Sequence, residues 1–294
     1  MSSVLAPPLR APSRAPTVHG RRRAQRALTY VVALVGCTVV LVPVLWMVST
    51  ALKTDNAVFT APPQLIPASP AYGNFHQATT LIPFWHYARN SLLVAGLGAV
   101  GTVLSSALVA YPLARLRARG LRLAFVLILA TMLLPQQVLL VSQFVIFSKI
   151  GWYGSYLPLI VPSFLGGGAF NIFLLRQFFL TLPAELDQAA LVDGAGHFRI
   201  FWQIILPQSV PALVAVGLLD FASKWNDFLG PLIYLNKTDT YTLPLGLASF
   251  HDLYNTSWNF LMADTLLAVV PTVVLFFLGQ RLLVRGFAST SARG

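Results

Sequence analysis

The chain has 294 residues, of which 56% are hydrophobic and 10% are charged, whereas about 25% are charged in typical soluble domains. A water-soluble fold cannot easily bury that apolar share. The net charge of +11 would suggest nucleic acid binding in a soluble protein, but here the cations flank long apolar runs, where they contact anionic lipid and set orientation. We therefore expect a membrane protein that contacts membrane lipid and binds no nucleic acid.

The apolar residues fall into six runs, and each is near the ~20 residues that a helix needs to cross a bilayer. The runs cover about 27–51, 90–114, 121–147, 156–180, 208–235 and 260–284. Continuous apolar runs favour helices over the alternating strands of a membrane barrel. The sequence predicts an all-α polytopic membrane protein with six transmembrane helices.

The segments outside these runs predict the topology. Residues 1–26 predict a disordered basic tail, residues 52–89 with their five prolines predict an external loop, and residues 285–294 predict a C-terminal tail. If the N-terminus is inside, fifteen of the twenty Lys and Arg lie on the inner side and four on the outer side. Because short loops rich in Lys and Arg stay in the cytoplasm, both termini are predicted to be cytoplasmic.

The connection between the fourth and fifth runs carries the signals of a short helix. Pro183 suits the first helical position, Glu185 and Asp187 suit the positive N-terminal end, and Gly194 suits a left-handed cap. One face would be narrow and mostly apolar, and would comprise Leu182, Leu186, Ala189, Ala190 and Asp193. Such a face fits another protein better than lipid, although an interfacial connector is the alternative. Pro207 then predicts a separation between a second amphipathic piece and the fifth span.

The same connection contains a long spaced motif. It consists of Gln188-Ala189-Ala190, Gly194 after three further residues, Ile204 after nine more, and Leu206-Pro207 after one. The motif resembles the cytoplasmic signature of binding-protein-dependent ABC importer permeases, although Gln188 stands where that family usually has Glu. The resemblance implies a type I ABC importer permease fold and a coupling helix at about 183–196 that docks on an ATPase subunit. By resemblance, the ATPase-coupling residues are Glu185, Gln188, Ala189, Ala190, Asp193, Gly194, Ala195 and Gly196.

Further stretches agree in order and spacing with the carbohydrate-uptake branch of that family, in the maltose-type second permease. They are Asn90-Ser91, the segment 110–115, Leu134-Pro135-Gln136-Gln137, the segment 225–229, Pro231-Leu232 and the segment 241–247. The resemblance covers nearly everything from residue 25 onward, and the permease core would be residues 90–284 with five transmembrane helices. It implies a bacterial inner-membrane subunit of a sugar importer that forms a heterodimer with a second permease.

The other implied partners are two ATPase subunits and an extracellular solute-binding protein. ATP and magnesium would bind to the partner ATPase, because this chain has no GxxxxGK[ST] phosphate loop. Its histidines are dispersed and no nucleophile motif is present, so we expect no enzymatic activity, no metal and no cofactor of its own.

Polar residues inside the apolar runs are candidates for the translocation path. Asp220, Lys224 and Asp227 are spaced four and three apart, which predicts one helical face and mutual neutralisation. Trp225 and Asn226 could stack on and hydrogen-bond a sugar, and Gln136 and Gln137 are further candidates in the third run. A structural ion cluster, an interfacial position or hydrogen bonding between helices is the alternative for each.

Seven other positions in the runs have structural predictions. Asp264 is expected near the external end of the sixth span and in contact with solvent. The glycines at 166–168 are expected to permit a bend or close packing, and Gly96, Gly98 and Gly101 are expected to allow close helix packing.

Three other functions remain open. An importer permease for a peptide, phosphate or polyamine would share the motif. A stand-alone secondary transporter or channel would use Asp220, Lys224 and Asp227 as an ion or proton relay, but it would leave the docking helix unexplained. An intramembrane enzyme would need a paired acid or a His-metal cluster in the spans, and none is evident.

Overall fold

The computed structural model describes residues 18–250 and 257–291, with side chains described for 25–250 and 257–280. All regular structure in these residues is helical, as expected where only helices satisfy their own backbone in lipid. The α-helices are α1 Val18–Ala51, α2 Asp55–Val58, α3 Gly73–Leu81, α4 Phe84–Arg115, α5 Leu121–Thr131, α6 Gln136–Lys149, α7 Leu157–Ile160, α8 Ala169–Thr181, α9 Glu185–Val192, α10 His197–Ile200, α11 Leu206–Gln208, α12 Val210–Trp225, α13 Leu229–Tyr234, α14 Leu243–Leu247 and α15 Trp258–Ser291.

The described residues contain four stretches that are long and apolar enough to cross a membrane, and two bent helix pairs. The stretches are Gln25–Ala51, Phe84–Arg115, Leu157–Thr181 and Trp258–Gln280. The pairs are α5 with α6, bent by 98°, and α10–α11 with α12, bent by 77°. The protein is therefore an all-α membrane protein, and six spans result if each bent pair is one span.

The bends correct two predicted spans. The third run, predicted as one helix over 121–147, breaks before Pro135, whose φ of −60° and ψ of 128° are extended. Proline disfavours a helical residue before it, so the chain turns there. The fifth run, predicted over 208–235, contains α12 only as far as Trp225, and α13 is a separate short helix.

The helix of the fourth span is interrupted at its three glycines, which were predicted to permit a bend or close packing. Gly166, Gly167 and Gly168 have φ values of 139°, 62° and 86°, which residues with a Cβ rarely adopt. At Gly167 a Cβ would lie 2.6 Å from the Thr102 carbonyl oxygen. The broken segment therefore packs directly on α4, where the Ser105 hydroxyl donates to the Ser163 carbonyl at 2.7 Å.

Two of the three glycines predicted to allow close packing do so. A Cβ at Gly98 would collide with the Lys224 side chain, and one at Gly101 would lie 2.5 Å from the Phe164 ring. At Gly96 no atom lies within 4 Å of the added Cβ, so the prediction is wrong for that residue.

The structure also differs from the prediction in the two tails and the first loop. Helix α1 begins at Val18, inside the predicted disordered tail, whose residues 1–17 lie outside the described residues. Helix α15 extends to Ser291, so most of the predicted tail 285–294 is helical, and residues 292–294 lie outside the described residues.

The loop predicted over 52–89 contains α2, α3 and the first turns of α4. The Asn74 amide donates to the carbonyls of Ala51 and Lys53, both at 2.7 Å. Carbonyls at the end of a helix have no partner within the helix, so Asn74 caps α1 and fixes α3 beside it.

The apolar core has two clusters, and α4 contributes to both. One cluster joins the first half of α4 to α3, α12 and α15. The other joins the second half of α4 to α8, α9, the segment 200–205 and the start of α12. The second cluster positions the candidate coupling site.

Candidate coupling site and membrane charge cluster

Helix α9 confirms the predicted short helix in the connection between the fourth and fifth spans. It runs from Glu185 to Val192, with Glu185 and Asp187 in its first turn. Pro183, predicted at the first helical position, precedes the helix, and Ala184 is the N-cap. Negative side chains in the first turn stabilise the helix through its dipole.

The C-terminal end of α9 is closed by a left-handed glycine, as predicted. Gly194 has a φ of +77°. Its N–H donates to the Leu191 carbonyl at 3.0 Å, and the Ala195 N–H donates to the Ala190 carbonyl at 2.9 Å. These two bonds form a Schellman motif. An added Cβ at Gly194 would meet no atom within 4 Å, so glycine is favoured here by backbone conformation and not by crowding.

One face of α9 is uncovered in this chain. Glu185, Gln188, Ala189 and Val192 follow each other at helical spacing and all are exposed, Val192 by 88%. We call these four residues the outer face.

The opposite side of α9 corrects the predicted docking face. Ala190 is buried in the second core cluster, Leu182 packs against that cluster, and Leu186 is half-buried. The predicted face is therefore wrong for Leu182 and Ala190, because they pack on the chain's own helices, whereas the role of Leu186 stays a prediction. Val192, absent from the predicted face, is the most exposed apolar residue of α9.

The end of α4 holds this connection through a residue that the sequence reasoning missed. Arg115 Nη2 donates to the Leu182 carbonyl at 3.0 Å. Arg115 Nε lies 3.6 Å from Asp187 Oδ2, and the two side chains are 7% and 16% exposed. The available signal was a cation at the end of an apolar run and an acid in the first turn of the predicted coupling helix.

The segment after α9 ends at a turn before α12. Helix α10 leads into a π-helical turn over Phe201–Ile205 and then into α11, which contains Pro207. The chain turns at Ser209, whose hydroxyl donates to the Ile205 carbonyl at 2.7 Å. Pro207 was predicted to separate a second amphipathic piece from the fifth span, and the two pieces are separate, with a 77° bend two residues after Pro207.

A charge cluster lies between α4 and α12. Lys224 Nζ donates to Asp220 Oδ2 at 2.5 Å and to Thr102 Oγ1 at 3.4 Å. The predicted pairing of Asp220 and Lys224 is confirmed. Asp227 does not join them, because α12 ends at Trp225 and Asp227 Oδ1 accepts the Gly230 N–H at 3.1 Å.

Comparison with known proteins decides the family. The family described as "Binding-protein-dependent transport system inner membrane component" matches residues 103–289. The chain belongs to this family. The probable ABC transporter permease protein YurM of Bacillus subtilis is 37% identical over 257 residues, which cover 86% of this chain and 83% of YurM.

The permease also resembles an arabinooligosaccharides transport system permease protein, AraQ of Halalkalibacterium halodurans. That protein is 33% identical over 72% of this chain and 75% of its own length. The fold is that of a bacterial ABC transporter involved in the import of the acidic polysaccharide alginate, with a TM-score of 0.78 at 21% identity, over 91% of this chain and 99% of that chain.

The other candidate path residues of the permease do not form one site with the Asp220–Lys224 pair. They are Trp225, Asn226, Gln136 and Gln137. Trp225 is buried, and its Nε1 donates to the Ala268 carbonyl at 3.0 Å. Asn226 is exposed and donates to the Ala222 carbonyl at 2.7 Å. The path role of these residues stays a prediction, and the burial of Trp225 assigns its ring to helix packing in this conformation.

Gln136 and Gln137 are exposed at the start of α6, just after its bend. Their side chains make no hydrogen bond to another described residue, so the structure leaves them free to contact a solute or a partner. Their role in the path also stays a prediction.

Asp264 corrects the expectation of a solvated acid. Its exposed fraction is 0%, and within the described part of the chain neither carboxyl oxygen has a hydrogen-bond partner. The turn of α15 that carries Asp264 packs inside the bundle, with Ala263 also fully buried.

Proposed function

We propose that this chain is the permease subunit of an ATP-driven importer and translocates a sugar or oligosaccharide that an extracellular binding protein delivers. Membership of the binding-protein-dependent family supports the importer. The sugar assignment is supported by AraQ, whose name specifies arabinooligosaccharides. A peptide, phosphate or polyamine is the alternative cargo, and the assay below separates these cargoes.

The outer face of α9 is the observation that carries the proposal. Its inner side is fixed by Ala190 and Leu182 on the chain's own core, so the helix holds its position without a partner. Its outer side leaves Ala189 and Val192 uncovered. A small alanine and an exposed valine on a short helix suit a groove in another protein, which we assign to the ATPase subunit.

The partner assignments follow from this role. Residues 25–46 of α1 are all exposed, and α5 and α6 have no buried residue among those described. These surfaces are available to lipid and to a second permease in a heterodimer. Two ATPase subunits would bind ATP and magnesium, and this chain would be the non-catalytic subunit. It would lie in the bacterial inner membrane with both of its termini in the cytoplasm.

Transport would proceed by alternating access. Closure of the ATPase subunits would displace α9, and the bundle would change between inward-open and outward-open states. Asp220 and Lys224, at the α4 and α12 contact, are the path candidates that the structure places together.

The docking assignment is tested at one position with two substitutions. Ala189→Arg places a long cation on the outer face, whereas Ala189→Ser changes its shape very little. We expect the arginine variant to insert normally but to lose its ATPase subunits on purification, and the serine variant to retain them. Normal retention and uptake with Ala189→Arg would refute the proposal that this face docks on an ATPase.

The cargo is tested with the reconstituted complex and its binding protein. We expect a sugar or oligosaccharide to stimulate ATP hydrolysis and to enter proteoliposomes. Stimulation by a peptide, phosphate or polyamine alone would replace the sugar assignment. Uptake that needs an ion gradient and no ATP would instead support a stand-alone transporter.

A further inference from the structure

The last turn of α4 contacts the coupling connection on both sides of α9. Arg115 bonds the Leu182 carbonyl before α9 and pairs with Asp187 on α9. The Tyr111 ring lies 5.1 Å from the ring of Phe201, which follows α9. Tyr111 and Arg115 are four residues apart, so they lie on one face of α4. One turn of α4 therefore contacts the segment before α9, α9 itself and the segment after α9.

The Arg115 contacts are sheltered from water. Both charged side chains are largely buried, and a charge pair that is partly removed from water is weakened less by salt and solvent than an exposed pair. The planar guanidinium donates one N–H to the Leu182 carbonyl, while its Nε lies beside the Asp187 carboxylate as an ion pair without a hydrogen bond. A lysine at this position would supply a point charge without that fixed fork.

Helix α8 is bound to the same turn of α4. Arg176 Nε donates to the Leu113 carbonyl at 3.1 Å, and its guanidinium lies 4.0 Å from the centre of the Phe125 ring. Leu113 is in the last turn of α4, where carbonyls have no partner within the helix. The end of α4 is thus fixed to the helix that leads into the coupling connection as well as to the connection itself.

Helix α4 also contacts α12. Thr102 accepts a hydrogen bond from Lys224 of α12, and at 1.5 Å per residue Thr102 and Arg115 are about 20 Å apart along one helix. Helix α4 is continuous between them, with Pro112 in its last turn. A displacement applied at Arg115 would therefore be carried by α4 to its contact with α12.

We propose that Arg115 is a positioning residue that makes α4 follow the coupling helix, so that ATPase movement reaches the α4 and α12 contact. This inference rests on the proposed function. Arg115 does not contact the ATPase or the sugar, and it acts through Asp187 and the Leu182 carbonyl. Its loss leaves the outer face of α9 intact and disconnects that face from the spans.

The readout is the number of ATP molecules hydrolysed per sugar imported by the reconstituted complex with its binding protein. We expect Arg115→Gln to retain its ATPase subunits and to raise this ratio by at least about fivefold, the lower end of typical coupling between sites. Arg115→Lys is expected to raise the ratio less. Arg117→Gln is the matched control, because Arg117 is exposed and makes no ion pair or side-chain hydrogen bond among the described residues.

A second variant tests the same ion pair in case Arg115→Gln impairs folding. Asp187→Asn keeps the shape of the side chain and leaves the bond from Arg115 to the Leu182 carbonyl in place, and we expect the same direction of change. The exchanged pair, Arg115→Asp with Asp187→Arg, is expected to recover part of the wild-type ratio.

Two outcomes would overturn the inference. One is an unchanged ratio in both Arg115→Gln and Asp187→Asn. The other is a loss of uptake and ATP hydrolysis in strict proportion to a lower protein yield, because that result assigns the pair to stability alone. If Ala189→Arg also retained its ATPase subunits, the proposed function would fail; if only the ratio stayed constant, the role of Arg115 alone would fail.

Discussion

A substitution series at Gly194 tests the end of α9, the proposed coupling helix. The residue has a φ of +77°, and an added Cβ would meet no atom within 4 Å. Any effect of a new side chain within this chain is therefore due to backbone conformation. The left-handed region costs an ordinary L-residue about 1–2 kcal/mol, is tolerated by asparagine, and is least favourable for β-branched residues.

We expect the damage to increase from Gly194→Asn to Gly194→Ala and to be greatest for Gly194→Val. A cost of about 1–2 kcal/mol reduces the population of a local conformation by a factor of about 5–30. The Schellman bonds from Gly194 to Leu191 and from Ala195 to Ala190 depend on that conformation. The valine variant should therefore redirect the chain after α9, while the spans, which do not depend on this turn for burial, remain inserted.

The assay combines membrane insertion, ATPase-subunit retention, binding-protein-stimulated ATP hydrolysis and sugar uptake. We expect Gly194→Val to uncouple uptake from hydrolysis and Gly194→Asn to remain close to wild type. Normal stimulation and uptake with Gly194→Val would show that this loop is not the coupling element. Equal damage from Gly194→Asn and Gly194→Val would refute the conformational explanation.

Three further predictions concern topology, charge pairing and loop packing. A C-terminal fluorescent fusion should be bright and an alkaline phosphatase fusion inactive, and the reverse pattern would contradict cytoplasmic termini. Changing Asp220 or Lys224 alone to Ala should impair assembly or transport more than changing both, because a single change leaves an unpaired charge; additive losses in a double-mutant cycle would exclude their coupling. Asn74→Ala should destabilise the protein by roughly 1–3 kcal/mol, since it leaves two carbonyls unpaired, and an unchanged thermal midpoint in detergent would show that this cap is not needed.

Local signals predicted α9 and its C-terminal cap well. The acidic first turn and Gly194 act within one or two turns of the backbone, so α9 and its cap could be identified without knowledge of the fold. The spacing of Asp220 and Lys224 also predicted their pairing, because residues four apart on a helix are neighbours.

The contacts that depend on distant segments were not predictable in this way. Leu182 and Ala190 suit either a partner protein or the chain's own core, and only the position of α4 and the segment after α9 decides between them. Trp225 was a candidate for sugar binding because an aromatic ring can stack on a sugar face, but the Ala268 carbonyl of α15 accepts its N–H. Hydropathy also could not reveal the 98° bend before α6, since one apolar run continues through both arms.

The small and polar residues Gly98, Thr102 and Ser105 of α4 explain how this bundle accommodates both a lysine and an unwound segment within its apolar helices. Gly98 leaves room for the Lys224 stem, and Thr102 accepts a hydrogen bond from its ammonium. One turn further, Ser105 donates to the carbonyl of Ser163, and Gly167 rests against the Thr102 backbone. Irregular backbone and charge are tolerated in a membrane where protein groups surround them. The small and polar residues of α4 are therefore required by the neighbours they accommodate, and enlarging Gly98 should disturb the charge cluster before it disturbs α4 itself.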